Sequence, residues 1–140
     1  MALQAMMQRG YLKHVVSQNT DSLHLKSGVQ FGKLTELHGN TTLEHCTECG
    51  AQYFRDYRCR SSEDPFFHLT GRKCTACGGA LADEIVHFGE SIPKGKLVEA
   101  LTLASQSDLC LCLGTSLRVK PANQIPIYTL KHKGTLAIVK

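Results

Sequence analysis

Leu37-His38-Gly39, then Cys46-Thr47-Glu48-Cys49-Gly50 and, after 24 intervening residues, Cys74-Thr75-Ala76-Cys77-Gly78 decide how this chain is read. Two residues between cysteines let one tight turn present both sulfurs to the same ion, in tetrahedral geometry with Zn–S near ~2.3 Å. The glycine after each pair suits a turn that needs positive φ, which glycine adopts without strain. Cys46, Cys49, Cys74 and Cys77 therefore predict one closed, structural Zn(Cys)4 site per chain. Four thiolates leave no position for water, so this zinc is a staple, and chemistry must come from elsewhere, His38 first. His45 and His68 are spare nitrogen donors with no place in a shell the cysteines already fill.

The 140 residues, 42% of them hydrophobic, suffice for one ordinary globular domain or part of a larger one. No apolar run approaches the ~20 residues of a bilayer span, and the N-terminus lacks a signal peptide's order, so no membrane partner is expected. The odd count of seven cysteines, four in metal spacing, argues against a disulfide scaffold and for a reducing intracellular compartment. Cys110 and Cys112 fall in the apolar run 109–113 as small buried hydrophobes, and Cys59 reads as a spectator thiol. The net charge of +4 is spread along the chain; short clusters such as Lys131-His132-Lys133 read as a solvated face, with direct nucleic-acid binding left open.

Residues 1–9 predict a helix stopped by Gly10, and Leu12, Val15 and Val16 a strand over 11–17. That strand runs into Gln18-Asn19-Thr20-Asp21, polar groups where a parallel sheet gathers its ligand contacts. Asp21 or Ser22 can cap a brief helix over 23–27 that Gly28 closes. A strand over 34–37 then delivers His38-Gly39-Asn40 to a loop. Within the zinc module, about 41–83, the stretch 52–57 is strand-like, and an insert around Ser61-Ser62-Glu63-Asp64-Pro65 is irregular and expected to be mobile; 60–71 is the linker candidate.

Ile85-Val86-His87-Phe88-Gly89-Glu90 is expected to be extended and able to pair with a strand laid beside it. Leu97, Val98, Leu101 and Ala104 recur at helical spacing over 94–107. Residues 109–113, apolar throughout, suit a central parallel strand covered on both faces. Gly114-Thr115-Ser116, a helix over 122–132 and a strand over 135–139 complete a βαβ unit whose ligand belongs at the strands' carboxyl ends. Small residues at 114–116 admit a phosphate or ribose, though alone they are equally a plain turn.

Together, Gln18-Asn19-x-Asp21, Leu23-His24, Glu36-Leu37-His38-Gly39, the two Cys-x-x-Cys pairs, Val86-x-Phe88-Gly89-Glu90 and Gly114-Thr115-Ser116-Leu117 resemble the sirtuins, NAD-dependent protein-lysine deacylases. Val15-Val16-Ser17-Gln18-Asn19 and Ile85-Val86-His87-Phe88-Gly89-Glu90 look most like their nuclear class IV branch. The resemblance implies an α/β fold: a partial Rossmann-like parallel sheet, 1–40 and 84–140, that binds NAD, with a zinc-ribbon module inserted at 41–83. It implies that the acyl oxygen attacks C1′ of the nicotinamide ribose, nicotinamide leaves, and the acyl group ends on ADP-ribose. His38 would be the general base toward a ribose hydroxyl, a transfer suited to an imidazole near neutral pH. Asn19 would contact ribose and Asp21 the nicotinamide amide, with Gln18 supporting them. Gly114, Thr115 and Ser116 would hold phosphate and the adenine-side ribose.

Val86, His87, Phe88 and Gly89 would take the substrate backbone as an added strand, Phe88 lining the acyl-lysine channel. The implied partner is an acylated-lysine protein, a histone or another nuclear protein, and a nuclear location is favoured over a cytoplasmic one. Two departures qualify the resemblance. Ser22 stands where the family has glycine, and no Gly-x-Gly turn for the NAD phosphates occurs in these residues, so a truncated form with impaired activity is expected. The alternative is a non-catalytic, zinc-stabilised module that binds protein or nucleic acid. Zinc hydrolysis or deamination is disfavoured, since neither His-x-Glu nor His-Glu-x-x-His occurs.

Overall fold

The computed structural model describes residues 2–60 and 66–139; the insert expected around Ser61-Ser62-Glu63-Asp64-Pro65 lies outside them. The chain forms two compact units, Met1–Ser91 and Ile92–Lys140.

The first unit begins with α1 (Ala2–Gln8), ended at Gly10 with φ 75°. β1 (Val15–Ser17) is shorter than 11–17, because only the β-branched end of that stretch finds a partner: β2 (Leu34–Glu36), parallel, with Val15 opposite Leu34 and Ser17 opposite Glu36. Between them lie α2 (Leu23–Lys26) and a short 3-10 turn, Phe31–Lys33. Parallel pairing sends the loops after Ser17 and after Glu36 out of the same end of the sheet.

The rest of this unit is a four-stranded antiparallel sheet, ordered β4-β3-β6-β5, from β3 (Leu43–Cys46), β4 (Gln52–Phe54), β5 (Leu69–Lys73) and β6 (Ala80–Asp83). Of these four strands, the sequence pattern predicts only β4, as part of 52–57. Cys46, Cys74 and Leu81 form its buried centre, with Ala51 and Tyr53 packed against them. On β3 the fully buried Glu44 carboxylate takes Arg55 at 2.6 Å and Arg72 at 2.8 Å. Burial opposes ionisation of Glu44, but hydrogen bonds from Thr70, Arg55 and Arg72 outweigh it and hold the carboxyl below its usual value.

The second unit is α3 (Lys94–Gln106), β7 (Leu109–Leu113), a 3-10 turn (Ala122–Gln124), α4 (Ile125–Lys131) with Pro126 in its first turn, and β8 (Thr135–Val139). β7 and β8 pair in parallel, residue for residue from Leu109–Thr135 to Leu113–Val139. Two expectations change here. Val98 is 61% exposed, and the inner face of α3 is instead carried by Ala100 and Ala104, whose small side chains let α4 close in. Thr129 of α4, fully buried, donates its hydroxyl to the Ala104 carbonyl at 2.9 Å.

β7 is not covered on both faces. Side chains alternate along a strand, and while Cys112 is buried, Leu109, Leu111 and Leu113 point to the other, exposed side. Among the described residues no helix is long and apolar enough to cross a membrane.

Candidate functional site

The loops leaving β1 and β2 are laced together. The Leu37 N–H donates to the Ser17 carbonyl at 3.0 Å, and the Thr41 N–H and hydroxyl donate to the Thr20 carbonyl at 2.9 and 2.8 Å. Between these rungs, His38 Nδ1 lies 3.1 Å from the Gln18 carbonyl oxygen. A carbonyl only accepts, so Nδ1 carries the proton and, in the neutral ring, the Nε2 lone pair is directed away from this bond. The half-buried ring is thereby held in one tautomer.

Gly39 fixes a third segment. Its φ is +80°, and a Cβ there would sit 1.7 Å from the Glu84 carbonyl oxygen and 2.5 Å from its carbon. Backbone thus meets backbone, and the Val86 N–H donates to the His38 carbonyl at 3.0 Å. The glycine after the histidine is needed both for its dihedral and for this approach.

Beneath the loop lies a buried polar network that no spacing in the sequence announced. Asn40, fully buried, accepts at Oδ1 from the Ser22 hydroxyl (2.5 Å), the Thr42 N–H (2.9 Å) and the Thr42 hydroxyl (2.9 Å). Its amide donates to the Glu36 carboxylate at 2.8 Å. Ser22 has φ 62°, a left-handed conformation that suits glycine, and its hydroxyl's place in this network offsets the strain. Asp21, exposed, accepts from the Leu23 N–H at 3.0 Å just ahead of α2, whose N-cap is Ser22 with no side-chain cap bond; Asn19, also exposed, donates its N–H to the Ser17 hydroxyl at 3.1 Å.

The four predicted cysteines converge. All four sulfurs lie within 4.8 Å of one another, with Cys46–Cys77 at 3.4 Å and Cys49–Cys74 at 3.6 Å. A tetrahedral zinc with ~2.3 Å bonds sets sulfurs about 3.8 Å apart, so the cluster is positioned to bind a zinc ion. Gly50 and Gly78 have φ of 72° and 79°, as the turns require. Gly79 was not singled out from the sequence, yet a Cβ there would meet the Cys46 sulfur at 2.9 Å. The donor set carries its own charge support: the Glu48 N–H points at Cys46 Sγ (3.4 Å) and the Tyr53 hydroxyl lies 3.1 Å from Cys74 Sγ. The Tyr53 contact is the main cause that brings Cys74 down to about 6. Cys77 is pushed up to about 12: the Gly79 N–H favours its thiolate, but the Cys46 and Cys49 sulfurs outweigh it, a repulsion that a dication would relieve.

The Sir2 family model matches residues 1–121. The chain belongs to the Sir2, or sirtuin, family. It is 41% identical to the NAD-dependent protein deacetylase SRT1 of Arabidopsis thaliana, over 99% of this chain and 29% of that protein. To the NAD-dependent protein deacetylase sirtuin-7 of Homo sapiens it is 43% identical, over 85% of this chain and 31% of that protein. Among solved structures, a Sir2 homologue–NAD complex superposes with a TM-score of 0.76 at 28% identity, covering 99% of this chain and 51% of that one. A Sir2–p53 peptide–NAD+ complex gives 0.70 at 32% identity, covering 97% and 54%. The chain thus spans about half the length of these solved relatives and under a third of the two curated ones.

The sirtuin motifs are distributed over both units. Gln18, Asn19, Asp21, His38 and residues 86–89 stand in the first unit, where His38 is tied directly to Gln18 and Val86. Gly114, Thr115 and Ser116 stand in the second, in the turn after β7. Gly114 has φ 58° with open space where a Cβ would be, and the Thr115 hydroxyl accepts from the Leu117 N–H at 3.2 Å.

The stretch expected to be extended over 85–90 is not a strand. Phe88 and Gly89 form a turn closed by the Glu90 N–H on the His87 carbonyl at 3.0 Å, with Gly89 at φ 96° and Phe88 93% exposed. Of the spare histidines, His68 is held between two carboxylates, and His45 Nδ1 lies 3.8 Å from Glu84.

Proposed function

We propose that this chain carries the base and the acyl-lysine segment of an NAD-dependent protein-lysine deacetylase, with His38 as general base. The observation that carries this reading is the orientation of His38, its Nδ1 committed to the Gln18 carbonyl and its backbone to Val86. Resemblance to deacetylases of 41% and 43% identity supports the same reading. In domain terms, 1–40 and 84–140 form the partial Rossmann-like NAD-binding part and 41–83 the zinc module.

NAD, when bound, supplies a ribose carbon that accepts the acyl oxygen as nicotinamide departs. By the family likeness, Asn19 and Asp21 would face ribose and the nicotinamide amide, with Gln18 in support, and Gly114, Thr115 and Ser116 would take phosphate and the second ribose; each set is polar or small and at least partly open to solvent within its own unit. His38 Nε2 would be the atom that accepts a proton from a ribose hydroxyl. Val86, His87, Phe88 and Gly89 receive the acyl-lysine peptide, the Phe88 ring beside the acyl chain. Zinc on Cys46, Cys49, Cys74 and Cys77 holds the module together and takes no part in bond making.

Slow turnover by these 140 residues on their own belongs to the proposal, because no Gly-x-Gly turn is present to cradle the NAD phosphates. A histone or other nuclear protein as substrate, and an intracellular, nuclear location, are supported by the likeness to the class IV motifs. The test is nicotinamide release from NAD with an acetyl-lysine peptide, comparing the parent with His38→Tyr. Slow release that the substitution abolishes is expected. Equal release from both, or peptide binding with no release, would replace this reading with a non-catalytic zinc-stabilised binding module.

A further inference from the structure

Segment 84–89 is tied to the His38 loop through the Val86 N–H, and its Glu84 side chain meets Gln52 and His45, while the Phe88 ring at its far end is almost wholly in solvent. One imidazole also bridges the two carboxylates that flank it. His68, just before β5, places Nδ1 3.0 Å from Asp83 Oδ1 and Nε2 2.8 Å from Glu90 Oε1. Asp83 immediately precedes the segment and Glu90 immediately follows it. Each carboxylate also grips segment backbone: Asp83 Oδ1 accepts from the Ile85 N–H at 3.0 Å, and Glu90 Oε2 from the His87 N–H at 2.7 Å.

A neutral imidazole has one N–H and one lone pair, and a lone pair aimed at a carboxylate oxygen is repelled. Two carboxylates therefore require both nitrogens to donate. The Asp83 carboxylate is 3% exposed and, among the described residues, its second oxygen is buried with no hydrogen-bond partner, so an imidazolium beside it supplies the opposite charge that a buried carboxylate needs.

We propose that His68 is a positioning residue: as an imidazolium bridging Asp83 and Glu90 it clamps both ends of segment 84–89 and sets the acyl-lysine-binding conformation of Val86, His87, Phe88 and Gly89. This rests on the substrate role given to that segment above. The titratable and charged groups that face the clamp are Asp83 from the end of β6, Glu90 and the His87 imidazole from the segment itself, and Arg60, which contacts His87 Nε2; the His68 and His87 rings lie 5.9 Å apart. Hydrogen bonds to Asp83 and then Glu90 raise His68 above its ordinary 6.5, against the opposing effect of burial. Burial opposes ionisation of Glu90, but the His87 N–H and the His68 ring outweigh it and hold that carboxyl down. The clamp is thus closed at and below 6.5 and opens as pH rises through the raised value.

The experiment uses the zinc-loaded 140-residue chain, labelled with 15N. Long-range proton–nitrogen spectra at pH 6.5 should show both His68 nitrogens protonated. As pH rises, loss of that proton, loss of exchange protection at the His87 and Glu90 amides, and loss of affinity for a fluorescent acetyl-lysine peptide should share one midpoint. Glu90→Gln should lower the midpoint and reduce His87 amide protection by roughly tenfold to a hundredfold, the scale of a charged hydrogen bond.

A singly protonated His68 ring at pH 6.5 overturns the clamp, and that observation needs no variant to fold. Peptide affinity that stays flat across the His68 titration overturns its positioning role. If the ring and the amides titrate together while peptide binds at no pH, the clamp stands and the substrate reading of the segment falls.

Discussion

Replacing Gly39 by alanine should be among the costliest single-methyl changes this chain can suffer. The φ of +80° costs an alanine about 1 kcal/mol. The new Cβ would also lie 1.7 Å from the Glu84 carbonyl oxygen and 3.0 Å from the Ile85 nitrogen, and backbone cannot rotate aside as a side chain can. The loops must separate, which breaks the Val86–His38 hydrogen bond, worth about 1 kcal/mol, and loosens packing around Leu37. The total is on the order of 3 kcal/mol, or a urea midpoint lower by roughly 2 M.

Two other glycines isolate the contributions. Gly71 has φ +77° and no described residue within 4 Å of a Cβ, so alanine there should cost only the dihedral, about 1 kcal/mol. Gly32 has neither a left-handed φ nor a neighbour within 4 Å, and its alanine variant should stay within about 0.5 kcal/mol of the parent. Urea unfolding of the three zinc-loaded variants, followed by circular dichroism, should give the order 39, 71, 32. A Gly39→Ala protein as stable as Gly71→Ala would refute the claimed backbone approach.

Glu44→Gln should destabilise the zinc module by about 2 kcal/mol, less than a fully buried pair because the Arg55 and Arg72 side chains are 28% and 32% exposed; chemical denaturation measures it. The folded-state value of Glu44 is depressed, so its stabilisation is present above about 4.5 and lost as pH falls through the lower folded value. His68 has the opposite sign, its contribution being full below 6.5 and lost as pH rises through its raised value. Denaturation midpoints across pH should therefore fall away on both sides of that window, and the alkaline loss should vanish in His68→Gln. Metal analysis should find one zinc per chain; chelation should melt the sheet of β3–β6, since metal affinity in such modules is folding energy, about 10 kcal/mol or more.

The cysteine knuckles were legible because metal geometry fixes sequence spacing directly, and the loops around His38 because short apolar strands end in runs of polar residues. Hydrogen bonds joining distant positions left no such trace. Nothing in the spacing of Ser22, Asn40 and Thr42 shows that they share one buried network, nor that Gly79 must be small because Cys46 lies against it. β3, β5 and β6 are not legible in the sequence because charged residues interrupt their apolar pattern: Glu44 on β3, Arg72 on β5 and Asp83 on β6 pair with residues far along the chain. The apolar run 109–113 suggested burial on both faces, but periodicity cannot say what covers a strand, and the Leu109, Leu111 and Leu113 side remains exposed. Segment 85–90 read as extended from its β-branched start, while Gly89 turns it.

The most direct test of the central claim, that the fold holds His38 as an oriented base, is the tautomer of its ring. Long-range proton–nitrogen spectra of the labelled chain, at a pH where the ring is neutral, should place the proton on Nδ1, bonded to the Gln18 carbonyl, and leave Nε2 bare. A proton on Nε2 would turn the lone pair toward a carbonyl that cannot donate to it, and the role assigned to His38 would be wrong.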